Sequence, residues 1–279
     1  MVPPLHVICP DEEIEREDAA ARMSAALAAG GDSMALHLRP RSASAGRCLD
    51  LARTLLPAAD RSGGWIVING RTDVAMLVDV DAVQLGRGAL PIDTARTMLN
   101  AGCAIGVSVH SEAEARQAAA AGADFLLLGT IFSTPSHPGE PGSGVSRIRA
   151  CAGLPAPVIA IGGIDETRIA AVMEAGAAGV AVIRAVWGDD DPAGAVRRLV
   201  TAVNRSGMKD GTGMRIHVNG KEIERERGGT VRDLLEELNL DPRMVVVERN
   251  RNIVRRDDLD AVAVTDGDAY EIVQFVGGG

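Results

Sequence analysis

The chain has 279 residues, 46% of them hydrophobic and 24% charged, with a formal net charge of −9. That composition is globular, its acidity lacks the electrostatic footprint of a general nucleic-acid binder, and no apolar stretch reaches the roughly 18 uncharged residues of a membrane span. The first residues carry no basic region followed by an apolar run, so no secretory signal is expected. Four widely spaced cysteines, Cys9, Cys48, Cys103 and Cys151, form no CxxC and fit reduced, buried thiols in a cytoplasmic protein.

In chain order, short apolar runs alternate with Ala-rich amphipathic stretches. The runs are Leu5–Cys9, Met34–Arg39, Trp65–Asn69, Ala82–Leu85, Ala104–Val109, Asp124–Gly129, Pro157–Ile161 and Gly179–Ile183; Ser111–Ala121 and Asp165–Ala175 are among the helical segments between them. Continuous apolar strands separated by helices imply a parallel sheet buried on both faces. Eight such units over residues 1–203 predict an α/β fold of the compact (β/α)8 (TIM) barrel kind. Residues 204–213 are polar and Gly-rich and read as a flexible linker. In residues 214–279, strands Met214–Val218 and Lys221–Arg225 flank an Asn219-Gly220 turn. A helix is predicted over Thr230–Asn239, capped by Thr230, with further strands at Met244–Glu248 and Ala269–Val276. That order predicts a small α+β unit.

A barrel carries its chemistry at the C-terminal ends of its strands. His37 and Arg39 share one face of the second strand, which places a proton carrier beside a fixed cation if that face is the interior. Asn69 ends the third strand; Ser108 and His110 end the fifth. The sixth runs into a long hydroxyl-rich loop holding Thr130, Thr134, Ser136 and His137. Gly162-Gly163 after the seventh strand, with Ile183-Arg184 after the eighth, has the placement of a phosphate cup. His110-Ser-Glu112 echoes the HxE of zinc deaminases, but no PCxxC follows, so no zinc site is expected.

Together the segments Leu36-His-Leu-Arg39, Ile66-Val-Ile-Asn69, Val83-Gln-Leu-Gly86, Gly106-Val-Ser-Val-His110, Gly129-Thr-Ile-Phe132, Ala160-Ile-Gly-Gly-Ile164 and Gly179-Val-Ala-Val-Ile183 resemble the thiamine phosphate synthase superfamily. In the synthases an Asn-Asp pair ends strand three and an acid follows the strand-four Gly, and these carboxylates hold Mg²⁺. Here Asn69 is followed by Gly70, Arg87–Leu90 contains no acid, and His137 stands where the family has a loop lysine. On those departures the resemblance narrows to the TenI branch, the thiazole tautomerases, isomerases that need no metal. It implies that Gly162, Gly163 and Arg184 hold the phosphate of a phosphorylated thiazole and Arg39 its carboxylate. One tautomerase subgroup has a catalytic His where Thr130 stands, so another base is needed: His37 first, then His137 and His110. A Mg²⁺-dependent synthase, or a catalytically inactive barrel that docks the second unit, are the competing expectations.

The second unit resembles ThiS, the β-grasp sulfur carrier, through Val218-Asn-Gly220, Thr230-Val-Arg-Asp-Leu-Leu235, Asp266-Gly-Asp268 and Glu271–Gly279. Terminal residues without Cβ can thread a narrow adenylation site. The resemblance implies that Gly279, next to Gly278, is adenylated with ATP by an E1-like, ThiF-like partner, becomes a thiocarboxylate, and delivers sulfur to a ThiG-like thiazole synthase. No bound cofactor is expected, and a homo-oligomer is left open.

Overall fold

The computed structural model describes residues 1–134, 142–207, 214–225 and 229–274. The chain divides into two compact units, Met1–Val203 and Asn204–Gly279.

The first unit is a closed barrel of eight parallel strands in sequential order: β1 (Leu5–Cys9), β2 (Met34–Leu38), β3 (Trp65–Asn69), β4 (Ala82–Leu85), β5 (Ala104–Val109), β6 (Phe125–Leu128), β7 (Val158–Ile161) and β8 (Gly179–Val182). Alternation divides each strand between two apolar clusters. Ile8, Ala35, Val67, Ala82, Phe125, Leu127, Ile159 and Ala181 form a small one of their own, while Val7, Leu36, Ile68, Val83, Ile105, Leu126 and Val180 join the larger core with helix residues such as Leu51 and Leu55. Small residues make room for the few large ones. A Cβ on Gly106 would lie 2.2 Å from Phe125 Cζ, so only glycine lets that ring occupy its place. Three helical segments start where a short polar side chain caps them: Ser44 accepts from Arg47 N, Ser111 from Glu114 N, and Asp165 from Thr167 N.

The expected flexible linker needs correction at its start. The helix Pro192–Gly207 continues through residues 204–207, and residues 208–213 lie outside the described residues. Val196, Leu199, Val200 and Val203, spaced three and four apart, bury one face of that helix.

The second unit is a β-grasp fold. Its mixed sheet has the order β10-β9-β13-β11-β12, with β9 (Met214–Val218), β10 (Lys221–Arg225), β11 (Val245–Arg249), β12 (Asn252–Val254) and β13 (Ala269–Gln274). The helix Val231–Glu237 packs Val231, Leu234 and Leu235 into a core with Ile216, Val247 and Ile272. A capping box starts it: Thr230 Oγ1 accepts from Asp233 N, and Asp233 Oδ2 accepts from Thr230 N at 2.7 Å. β12 was not expected from the sequence; it pairs with β11 through a tight turn at Asn250 and Arg251, both with positive φ. Residues 275 and 276, expected in the last strand, lie outside the described residues.

Asp268 is the polar centre of this unit. It is 4% exposed and accepts from Arg249 Nε, Thr265 N, Thr265 Oγ1, Tyr270 Oη and Asn250 Nδ2 at 2.7–3.0 Å. Asp268→Ala leaves these donors and the Arg249 charge without their acceptor, which should cost about 3 kcal/mol. Amide hydrogen exchange in β9, β11 and β13 should accelerate about a hundredfold, with the barrel amides unchanged. No helix among the described residues is long and apolar enough to cross a membrane.

Candidate active site

The C-terminal ends of the barrel strands gather a ring of cations without partners. Arg39 follows β2 directly, and its N–H donates to Cys9 O at 3.1 Å. Asp11, after β1, grips the next loop: its carboxylate accepts from Arg41 N, Ser42 N, Ser42 Oγ and Ala43 N at 2.9–3.1 Å. Burial works to raise the Asp11 pKa, but those hydrogen bonds together bring it below its ordinary value. The clamp fixes the loop that carries Arg39 and Arg41. Burial, then the neighbouring Arg41 charge, lowers the pKa of the half-buried Arg39, which nevertheless stays charged at neutral pH. Among the described residues the guanidinium groups of Arg39, Arg41, Arg87 and Arg184 make no hydrogen bond or ion pair. All four follow barrel strands. Arg71 and Arg96, by contrast, are paired with Asp73 and Asp124, each at 2.6 Å, while Arg53, Arg61, Arg147 and Arg149, on helices, are likewise unpaired among the described residues, so it is the placement of the four at strand ends that sets them apart.

The loops after β6 and β7 are zipped together. Ile131 N donates to Ile161 O at 2.9 Å and Phe132 N to Gly162 O at 3.0 Å. Gly162 and Gly163 both have positive φ, and a Cβ on either would lie 2.6 Å from Thr130 Cγ2 or Ser133 O respectively. The pair is therefore required for the close approach of the two loops. Its N–H groups make no hydrogen bond among the described residues. Arg168, not expected from the sequence, donates to Gly163 O and stacks over Phe132 at 4.9 Å, bracing the junction. Thr130 accepts from Ser143 N at 2.9 Å through its carbonyl. Thr134 lies in the same described stretch, whereas Ser136 and His137 lie outside the described residues. Ile183 O caps the short helix Arg184–Trp187, which puts Arg184 at the rim after β8.

The expected proton carriers are not brought together. His37 is 0% exposed; its Nε2 meets His6 Nδ1 at 2.7 Å and its Nδ1 meets Asn69 Oδ1 at 2.8 Å. With both nitrogens engaged and no surface, His37 has no face left for a substrate, which corrects its assignment as the base. His110 is exposed, and its Nδ1 lies 3.1 Å from Gly129 O. A cavity of about 600 Å³ between the ends of β4 and β5 holds Ser108 and His110 and none of the other predicted site residues. Ser108 Oγ itself accepts from Gln84 Nε2 at 3.0 Å. Burial raises the thiols of Cys48 and Cys103 to about 11, so they are not nucleophiles near neutral pH.

Burial lowers the His37 pKa from 6.5 to about 4, with the Asn69 hydrogen bond opposing; burial, then the His37 charge, holds His6 well below its ordinary value. A folded-state pKa below the unfolded one means that the unfolded chain binds a proton that the folded chain refuses. Stability from His37 is therefore fully present above about pH 6.5 and falls as pH drops towards about 4, by about 3 kcal/mol. Denaturant unfolding followed by tryptophan fluorescence reads this in the barrel alone, since both tryptophans, Trp65 and Trp187, lie there. The His37→Asn protein should lack that part of the acid slope.

The family described as thiamine monophosphate synthase matches residues 5–186, and the ThiS family matches residues 215–279. A thiamine-phosphate synthase of Streptomyces avermitilis is 39% identical over 195 residues, covering 69% of this chain and 90% of that protein. A putative thiamine-phosphate synthase of Geobacter sulfurreducens is 38% identical over 199 residues, with 70% and 92% covered. The solved thiamine phosphate pyrophosphorylase of Pyrococcus furiosus superposes with a TM-score of 0.64 at 32% identity, covering 72% of this chain and 96% of that one. These likenesses overturn the expected tautomerase: the relatives carry the name of a transferase, not of an isomerase.

Proposed function

Because the chain belongs to the thiamine monophosphate synthase family and ends in a ThiS-family domain, we propose that its barrel is a thiamine-phosphate synthase and its second unit a sulfur carrier. The observation that carries this reading is the set of unpartnered guanidinium groups, Arg39, Arg41, Arg87 and Arg184, at the strand ends of a chain whose net charge is −9. Cations left without partners in an acidic protein fit substrates that bring their own negative charge.

In the proposed transfer the ring nitrogen of a thiazole phosphate bonds to the methylene carbon of a pyrimidine pyrophosphate as the carbon–oxygen bond to pyrophosphate breaks. The electron pair leaves with that oxygen. The nitrogen loses no proton, so the reaction needs charge stabilisation rather than a base. This agrees with a site where His37 is sealed in and cations face the solvent. Arg39, Arg41 and Arg87 meet the charge that grows on the leaving group. Gly162, Gly163 and Arg184 hold the thiazole phosphate, as loops after strands seven and eight commonly do in this fold.

Mg²⁺ is the ion that the family resemblance implies, and the residues present do not fit it. Mg²⁺ takes hard oxygen ligands, usually with one or two carboxylates. The positions in question hold Gly70 and the acid-free Arg87–Leu90, and the nearby Asp73 is held by Arg71 at 2.6 Å. Among the described residues no three His, Cys, Asp or Glu side chains cluster as metal ligands.

For the second unit we propose that Gly279 is adenylated with ATP by an E1-like partner and passes sulfur to a thiazole synthase, which would place both units in one biosynthetic sequence. Four free, buried cysteines support a cytoplasmic location. The test is incubation of the purified chain with thiazole phosphate and the pyrimidine pyrophosphate, with and without Mg²⁺, following thiamine phosphate and pyrophosphate together. Equimolar appearance of both is expected. Absence of both, by a chain that still binds thiazole phosphate, would overturn the synthase reading.

A further inference from the structure

The cavity at the ends of β4 and β5 lies on the outer side of the barrel wall. Side chains alternate along a strand, and Ser108 Oγ turns inward to accept from Gln84 Nε2 at 3.0 Å. Their neighbours Leu85, Val107 and Val109 therefore face outward, and all three pack in the core shared with the helices. The loop 86–91, the start of the helix Ile92–Met98 and the helix Glu112–Ala120 close the other side. The gap is there because the residues facing it are small. The first helix buries only Ala95, and the second only Ala115 and Ala118. Alanine methyl groups do not fill the space that a leucine stripe would, and about 600 Å³ stays open. Leu90, which lines it, is 41% exposed. Apolar walls left in water are unfavourable, and pockets of this size and make-up take small molecules.

The polar groups along the cavity decide the kind of molecule. Asp93 Oδ1 accepts from Thr94 N, and Glu114 Oε2 accepts from His110 N, both at 2.6 Å. The second oxygen of each carboxylate makes no hydrogen bond or ion pair among the described residues. His110 Nδ1 meets Gly129 O at 3.1 Å; a carbonyl only accepts, so Nδ1 carries the hydrogen and Nε2 of the neutral ring is left as an acceptor. Among the described residues that line the cavity, one cation, Arg87, stands against these two carboxylates. The balance favours a guest that donates hydrogen bonds and carries positive charge.

We propose that this cavity is a second binding site, for a flat apolar molecule with a cationic, N–H-rich head such as an amidine or a protonated amine. The body lies against Leu85, Val107 and Ala118. The head meets the free oxygens of Asp93 and Glu114 and the bare nitrogen of His110. Of the residues assigned to the proposed transfer, Arg87 alone lines this cavity, so the assignment does not rest on the synthase reading.

Benzamidine and benzoate share one flat apolar body and differ in the head, so they are the probes. Titrated into the full chain by calorimetry, benzamidine should bind, and benzoate should bind at least about tenfold more weakly. In amide correlation spectra benzamidine should shift the signals of residues 85–93 and 107–121. Ala118→Leu fills the cavity and should weaken benzamidine at least about tenfold. The double variant Asp93→Asn, Glu114→Gln keeps the shape but loses both charges, and should erase the preference for benzamidine. The proposal is overturned if wild type ignores benzamidine or prefers benzoate, if the shifts fall elsewhere in the barrel, or if the preference survives the double substitution. Unchanged affinity in an Ala118→Leu chain that is folded by tryptophan fluorescence overturns it as well; if that variant does not fold, the map of shifts decides. Affinity that falls as protein concentration rises would make a second copy of the chain the occupant and overturn the small-molecule assignment.

Discussion

Removal of Gly278 and Gly279 is expected to abolish thiocarboxylate formation while leaving the barrel unaltered. In the proposed adenylation the terminal carboxylate itself reacts, and a tail shortened by two residues ends in the Gly277 carboxylate, which falls about 7 Å short of the position that Gly279 would reach. Residues without Cβ keep the tail narrow enough for a confined active site. The core of this unit is built from Ile216, Leu234, Leu235 and Ile272, none of which the deletion touches, so folding is expected to be untouched. Intact-mass spectrometry of the chain after incubation with an adenylating enzyme, ATP and a sulfur donor is the measurement. A sulfur adduct on the truncated protein would refute the carrier assignment, and barrel activity of the same sample serves as the internal control.

Arg39→Gln should lower the kcat/KM of the proposed transfer by about 10²–10³-fold, the usual consequence of removing one well-placed donor to developing negative charge. Arg39 is singled out among the four unpartnered cations because it is half-buried and because the Asp11 clamp on residues 41–43 holds its loop. A cation that is partly desolvated acts through a lower effective dielectric than one fully in water. Arg41→Gln, more exposed, should cost less and should lose more of its effect in high salt. Steady-state kinetics on both substrates decide the matter. A near-wild-type Arg39→Gln enzyme would remove the charge-stabilisation argument.

The barrel was legible because its strands are buried on both faces. Runs such as Leu5–Cys9, Trp65–Asn69, Ala82–Leu85 and Ala104–Val109 have the same bounds in sequence and structure. β12 was not legible because three residues, one of them Asn252, carry no periodicity; only pairing with β11 makes them a strand. Residues 204–207 read as linker because Asn, Ser and Gly weigh against helix locally, while the buried stripe ending at Val203 carries the helix past them. Alternation correctly turned His37 to the inside, but alternation tells face and not depth. The signal that was missed is His6: it shares that inward face on the neighbouring strand, one alternation before Ile8, which pairs with His37 in register. The tautomerase expectation gave a few positions, Gly70, the acid-free Arg87–Leu90 and His137, more weight than the likeness of the whole domain.

A closed barrel has no free strand edges, but the five-stranded sheet has two, and a free edge is where a small domain sticks to copies of itself. One edge, β10, reads Lys-Glu-Ile-Glu-Arg, so four of its five side chains are charged. The other, β12, is three residues long and runs directly into Arg255 and Arg256. Charge on one side and brevity on the other deny an incoming strand a flat, uncharged template. Arg225 is buried and pairs with Glu237 at 2.6 Å, but replacing Lys221, Glu222 and Glu224 with threonine would leave the hydrogen-bonded ladder intact and remove that protection, so self-association rather than unfolding is the fault to expect there.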